Sequence, residues 1–318
     1  MDTKKEIDKL IELLPDELRS RITSGVYQHI ERSEYHFSQA KTKKDDQYFT
    51  DAIYRTNQAY EGILRETYEV LSKQKSDELT TYKIEEYFAN NNILNARVRN
   101  IFINYRKEWR NPATHNHNLF FKVDEAFLAI VNVSAFIFIL LNQIIEKVAY
   151  ADVKEEISKN EPLVRKELLK TNKDIVTVLS TAFLGFAEYS LTNSVNFKTE
   201  SQLMGSLIAF LEEILDGYKL TADYEVLSNR VYCDLLIQKD NYEPVIIELK
   251  NRYDERNETI GTNQVVSYLI QSGFTHGIIY FASDKKNIEY KIQKKIFGEK
   301  TVLLFIPQVT KSLTTAST

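Results

Sequence analysis

The sequence predicts two domains of different class: an all-α helical bundle over residues 1–150, and an α/β domain over residues 196–308 whose mixed sheet is flanked by helices. A helical connector at 151–195 joins them, and a disordered tail is expected at 309–318. Three observations carry this expectation. A chain of 318 residues favours two cores over one. Apolar residues recur at helical spacing through the first part. From Thr199 onward, short runs alternate with period two instead.

Taken in order, a charged amphipathic opening leads to a helix at about 16–40, in which Ile22, Val26, Ile30 and Phe37 share a face. The polar run 41–46 breaks it. A second long helix at 47–72 carries Ile53, Tyr60, Leu64 and Val70 inward, and a shorter one covers 81–89 before a loop at 90–92. Over 95–109, Val98, Ile101, Phe102 and Tyr105 form the next stripe. It stops at Arg110, Asn111 and Pro112, because the residue before a proline is pushed out of helical backbone geometry. A last helix, 122–150, is apolar enough over 127–145 to raise the question of a membrane span. Asn132, Ser134, Asn142 and Gln143 interrupt it and no basic cluster flanks it, so a buried helix is the expectation, with no membrane partner.

The connector begins charged, at 155–173, and runs into an apolar helix with Ile175, Leu179, Phe183 and Phe186. A helix at 199–216 follows, and Thr199 with Gln202 three residues on has capping-box spacing. Strands are expected at 219–227, 231–238 and 245–250, then a helix at 261–271, a strand at 277–282, a helix at 285–296 and a final strand at 301–306.

Hydrophobic residues make up 43% of the chain and charged ones 27%, a globular balance. The net charge of -4 gives no general attraction to nucleic acid, so any such binding needs a local patch. Cys233 is the only cysteine, which excludes an internal disulfide and fits a reducing compartment. The start of the chain is charged and lacks the apolar core of a secretory signal, so a cytoplasmic protein is expected.

Charge stands out inside two apolar strands. Read with period two, Val231, Cys233, Leu235 and Ile237 share one face of a strand, and Tyr232, Asp234 and Leu236 the other. The next strand sets Val245, Ile247 and Leu249 against Ile246, Glu248 and Lys250. Buried charges are costly unless paired or bound to a metal, and two carboxylates beside an ammonium suit a hard divalent cation. A surface ion pair between Glu248 and Lys250 is the plainer alternative. On the 199–216 helix, Leu203, Leu207, Leu211 and Ile214 mark the buried stripe, and Glu200 falls close to the phase of Leu207 while Glu212 and Glu213 point away. A glutamate there could equally serve the helix dipole. Gln264 and Tyr268, four apart, share a face of the following helix.

Asp234, then Glu248-Leu249-Lys250, then Gln264 and Tyr268, preceded by a helix bearing Glu200, resemble the PD-(D/E)XK nuclease superfamily over roughly 199–306. Cys233 stands where that pattern often has proline. The resemblance implies that Asp234, Glu248 and the carbonyl of Leu249 hold Mg²⁺ or Mn²⁺, that Lys250 orients or activates water, and that Glu200, Gln264 and Tyr268 complete the catalytic set.

A second candidate site lies at the break between helices, where Arg110, Asn111 and His115 follow Arg97, Arg99, Arg106 and Lys107, with Glu108 as the one acid among them. Arginine offers a fixed fork to phosphate and histidine exchanges protons near neutrality, the minimum for metal-free RNA cleavage. A helix stop with a polar histidine at the start of the next helix is the plainer alternative. Arg-Asn-x-x-x-His between helices resembles the HEPN family over roughly 16–150. That resemblance implies a homodimer, with Arg110 and His115 as a catalytic pair and Asn111 as polar helper; His117 has no family position.

The expected function is a metal-dependent nuclease acting on phosphodiester bonds, DNA more readily than RNA, through the C-terminal domain. The helical domain would supply dimerisation and a possible RNase, a pairing that looks like an anti-phage defence effector. Two alternatives stand beside it: a metal-independent ribonuclease whose C-terminal domain binds nucleic acid, and a non-catalytic sensor or scaffold.

Overall fold

A computed structural model describes residues 3–91, 93, 94, 96–111, 120–159, 174–227, 231–285 and 287–310. The chain divides into two compact units, Met1–Lys147 and Val148–Thr318. The first is helical among its described residues and the second holds a six-stranded mixed sheet with helices, as expected at the level of class.

In the first unit, α1 (Thr3–Ile11) precedes α2 (Asp16–Ile22), which passes through a π-helical turn at Thr23–Tyr27 into α3 (Gln28–Lys43) without a break. The single helix expected at 16–40 is therefore continuous but locally widened around Gly25. Lys44, at φ 53°, ends α3 in left-handed geometry. Next, α4 (Gln47–Ser72) has the expected bounds and buries Ile53, Tyr60, Ile63 and Leu64 completely. The side chain of Thr80 caps α5 (Thr81–Asn90) by accepting from Lys83 N. Then α6 (Ala96–Tyr105) continues into a second π-helical turn at Arg106–Arg110. The core is aromatic: Phe102 and Phe136 have ring centres 3.9 Å apart, and Tyr60 lies 5.0 Å from Tyr105. Burying Tyr105 costs little because its hydroxyl donates to Asn57 Oδ1 at 2.7 Å and meets Thr56 Oγ1 at 2.9 Å.

The apolar helix is longer than expected. It spans α7 (Val123–Lys159) and takes in the first residues assigned to the connector. It and α8 (Ile175–Thr192) are both long and apolar enough to cross a membrane, and half of each apolar window is buried.

In the second unit, α9 (Glu200–Ile214) begins where the capping-box spacing placed it. Thr199 Oγ1 accepts from Gln202 N at 3.2 Å, and the Gln202 amide returns to accept from Lys198 N at 2.9 Å, one residue before the cap. The strands are β1 (Lys219–Leu227), β2 (Val231–Gln238), β3 (Val245–Lys250), β4 (His276–Phe281), β5 (Ile288–Phe297) and β6 (Lys300–Val309), with α10 (Glu255–Ser272) between β3 and β4. Their spatial order is β1-β2-β3-β4-β6-β5. The pairs β1/β2, β2/β3 and β5/β6 are antiparallel; β3/β4 and β4/β6 are parallel.

One element is corrected. The segment expected as a helix at 285–296 holds instead the strand β5, from Ile288 onward. It joins β6 through a two-residue turn, with Phe297 paired to Lys300 and Gly298 at φ 60°. Ile288, Tyr290 and Ile292 alternate, and Tyr290 and Ile292 pack on one face, but the lysines between them hide the period. The final strand also runs past the expected 306, and Thr310 N donates to Asn287 O, so order continues beyond the 309 boundary. Residues 311–318 of the expected tail lie outside the described residues.

Each face of the sheet has its own core. Leu235, Ile237, Val245, Ile247 and Leu249 pack with α8 and α9, while Leu236, Ile246, Ile279 and Phe281 pack with Val265, Tyr268 and Leu269 of α10. Covered on both sides, β3 reads as a nearly unbroken apolar run. Gly277 on β4 allows α10 its close approach, since a Cβ there would stand 2.4 Å from Val265 Cγ1.

Candidate active site

The site forms at the start of β2 and the end of β3, which are antiparallel neighbours and so bring Asp234 and Glu248 opposite one another. Main-chain pairing runs from Ile237↔Val245 to Leu235↔Ile247. Beyond it, Leu249 N donates to Asp234 Oδ2 at 2.6 Å. The period-two reading is corrected here. Cys233 and Val231 pack on the α10 side with Leu236, not with Leu235 and Ile237. The alternation therefore changes phase at Asp234, whose side chain takes a place in the ladder. On its other side the register passes from Ala222↔Leu235 to Tyr224↔Cys233, and the intervening Asp223 adopts φ 46°, a left-handed distortion opposite the same point.

Glu248 is only 1% exposed. Its Oε1 accepts from Lys250 Nζ at 2.6 Å, while its Oε2 is buried without a hydrogen bond of normal geometry, the Asp234 main-chain amide lying near the carboxylate. Lys250 is mostly buried under α10, where a Cβ at Gly261 would stand in ordinary contact, 3.6 Å from Lys250 Cε. The surface ion pair considered above does not describe this geometry.

Burial, then the charge of Glu248, pushes the Asp234 carboxyl up to about 7, against the amide of Leu249 and the charge of Lys250. Burial likewise raises Glu248, opposed by Lys250. For Lys250, burial alone would lower the ammonium; the charge and hydrogen bond of Glu248, with Asp234 and Glu200, outweigh it and leave it raised. The Cys233 thiol is pushed up to about 12 by burial and by the two carboxylates, so it is inert at neutral pH.

Glu200 is exposed in the first turn of α9, and its charge bears on Asp234, Glu248 and Lys250. Glu212 and Glu213 are instead engaged elsewhere in the unit: Lys154 Nζ lies 3.1 and 2.6 Å from them, and Tyr150 donates to Glu212. Gln264 Nε2 donates to the Tyr268 hydroxyl at 2.6 Å, and Tyr268 is raised by burial, with Glu248 and Asp234 adding to it. Asp234, Glu248 and Lys250 thus meet on neighbouring strands, the charge of Glu200 on α9 reaches them, and Tyr268 on α10, which accepts from Gln264, feels both carboxylates. Two carboxylates meet there, and no group of three or more potential metal ligands is gathered among the described residues.

The second candidate site is described only in part. Arg110 Nε and Nη2 both donate to Glu61 Oε1, at 2.9 and 2.7 Å, and Nη1 donates to Asn111 Oδ1 at 3.1 Å. Arg106 lies 3.1 Å from Glu85. The expected basic patch is therefore partly neutralised by glutamates from α4 and α5, which sequence spacing could not reveal. A cleft of about 440 Å³ is lined by Glu61, Arg65, Tyr82, Arg106, Arg110 and Asn111, among others. His115 and His117 lie outside the described residues, as does the Arg97 side chain.

In comparisons with family models, curated proteins and solved structures, the chain matches none.

Proposed function

We propose that the second unit is a PD-(D/E)XK-like, Mg²⁺- or Mn²⁺-dependent phosphodiesterase acting on nucleic acid, DNA more readily than RNA. One observation carries the reading: Glu248 is buried with a carboxylate oxygen that no hydrogen bond of normal geometry satisfies, opposite Asp234, one of whose oxygens is committed to a main-chain amide. Such a pair favours a cation, and magnesium is commonly held by one or two carboxylates with water and substrate phosphates completing its shell. The residues present fit that demand. Asp234 and Glu248 would hold the ion, with the Leu249 carbonyl as the third protein oxygen. When bound, the metal polarises the scissile phosphate and acidifies its water.

The chain's own groups do the remainder. Lys250, fixed by Glu248, presents positive charge where the phosphate accumulates negative charge, and orients the attacking water. Glu200 adds negative potential that draws the cation in. Gln264, held by Tyr268, would offer its amide to a phosphate oxygen of the substrate.

The experiment is cleavage of duplex DNA, single-stranded DNA and RNA with Mg²⁺ and with EDTA. Cleavage lost in EDTA and in Lys250→Ala, but kept in His115→Ala, supports the reading; cleavage indifferent to chelator and to Lys250→Ala overturns it. A second reading, a HEPN-like metal-independent ribonuclease in the helical unit, draws on the arginine-lined cleft beside Arg110 and Asn111. It requires Arg110 to leave Glu61, and it predicts activity that survives chelator and dies with Arg110→Ala.

A further inference from the structure

Within the second unit, the C-terminal part of α7, the end of α8 with the loop after it, and the start of α9 line a cavity of about 360 Å³. Among the described residues no strand contributes to it, so it is separate from the site at Asp234 and Glu248. Small-molecule sites have volumes of about 300–1,000 Å³, and this one falls within that range. Val153 and Phe197, both buried, give it an apolar side.

Its charged lining is of one sign. Asp152 and Glu156, four residues apart and so on one face of α7, both line it, and among the described residues no lysine or arginine does. Burial, then the charge of Glu155, raises the Asp152 carboxyl, and no cation opposes them. Both acids act on Tyr189, which lines the same cavity and is raised by burial, then by Glu156 and Asp152.

Two further side chains point to an occupant. Ser206 lines the cavity at 3% exposed, and its hydroxyl has no hydrogen-bond partner among the described residues. Serines inside helices commonly bond back to a carbonyl one turn earlier, as Ser180 and Ser190 of α8 do to Val176 and Phe186. Asn193 Nδ2 donates to Tyr189 O at 3.0 Å, which leaves Oδ1 to accept. Carboxylate, amide oxygen, hydroxyl and aromatic face together receive an ammonium, whereas an anion would be repelled by the two acids. The apolar side suits an organic body rather than a bare ion.

We propose that this cavity binds a small organic amine, its ammonium on Asp152, Asn193 Oδ1 and the Tyr189 ring, its body on Val153 and Phe197, and Ser206 at the buried end. The site is independent of the nuclease chemistry.

Isothermal titration of the full chain in EDTA with putrescine, spermidine and tyramine tests it. At least one amine is expected to bind one-to-one, while butanediol, a neutral counterpart of putrescine, does not. Asp152→Asn should weaken binding about tenfold or more, as when a charge-assisted hydrogen bond is lost. Ser206→Val should also weaken it, with thermal unfolding of the same sample showing that the variant is folded. Glu188→Gln, an exposed acid on α8 outside the cavity, and Asp234→Asn should bind as the wild type does. No binding of any of the three amines at millimolar concentration overturns the proposal. So does a loss in Glu188→Gln equal to that in Asp152→Asn, which would mean general attraction to an acidic surface, or a loss in Asp234→Asn, which would place the amine among the candidate catalytic carboxylates. Displacement of the amine by Mg²⁺ in an Asp152-dependent manner, with EDTA omitted, would make this a divalent-cation site and overturns it as well.

Discussion

Asp234 Oδ2 accepts the main-chain hydrogen of Leu249 at 2.6 Å, so a side-chain carboxylate stands in the β2/β3 ladder and the two acids of the candidate site face each other across it. That placement holds Asp234 where it cannot be fully solvated, and burial raises its carboxyl.

Stability without metal is expected to fall as pH rises. The folded-state value for Asp234 is about 7, above the ordinary carboxylate value near 4. The native state therefore binds the proton more tightly than the unfolded chain. The associated stability is complete below about 4 and is lost as pH climbs through 7. Glu248, also raised, adds to the same trend. Thermal unfolding in EDTA between pH 5 and 8 should show the decline, Asp234→Asn should flatten it, and Mg²⁺ should restore stability most at pH 8. A metal-free protein more stable at pH 8 than at pH 5 would contradict this.

Removing Lys250 separates its two roles. Lys250→Met should lower cleavage by about 10²–10³-fold, the usual loss when one charge-stabilising donor is deleted. It also strips Glu248 of the cation that offsets its burial, so the melting temperature should drop more at pH 8 than at pH 5. Equal drops at both values would show that the pair is not electrostatically coupled.

Two glycines beside α10 should behave oppositely. At Gly277 an added Cβ meets Val265 Cγ1 at 2.4 Å, so Gly277→Ala should cost about 1–3 kcal/mol through overpacking. At Gly261 the nearest atoms stand 3.6 Å away, and an alanine inside a helix gains about 0.5–1 kcal/mol over glycine. Urea denaturation of the two variants measures both; a stabilised Gly277→Ala would refute the close approach of α10 to β4.

In the helical unit, the two arginines should contribute unequally. Arg106 faces Glu85, which is 9% exposed and accepts from Tyr60, so Arg106→Met leaves a buried carboxylate without its cation and should cost about 3–5 kcal/mol. The Arg110 and Glu61 side chains are 22 and 30% exposed, and Arg110→Ala should cost about 1 kcal/mol or less. Chemical denaturation gives the order directly, and a reversed order would show that Arg110, not Arg106, anchors the helices.

How much of this was legible in the sequence depended on whether the deciding contact was local. The bounds of α4 and the cap of α9 follow from periodicity and from Thr199 with Gln202, all within a few residues. Asp234, Glu248 and Lys250 stood out because charge interrupts apolar strands. The strand β5 was hidden because Lys291, Lys294 and Lys295 lie among its alternating apolar residues, and its identity rests on pairing with β6, whose own length was underestimated. The phase change at Asp234 depends on an amide fifteen residues away, and the neutralisation of Arg110 on a glutamate forty-nine residues away. Neither partner has a signature in the linear pattern.

The strand that carries Glu248 and Lys250 is bonded to a neighbour on each side, antiparallel to one and parallel to the other. At Glu248 and Lys250 the main-chain ladder runs to β4 alone, because pairing with β2 ends at Ile247. Strain placed on β4 opposite them therefore reaches both charged side chains together.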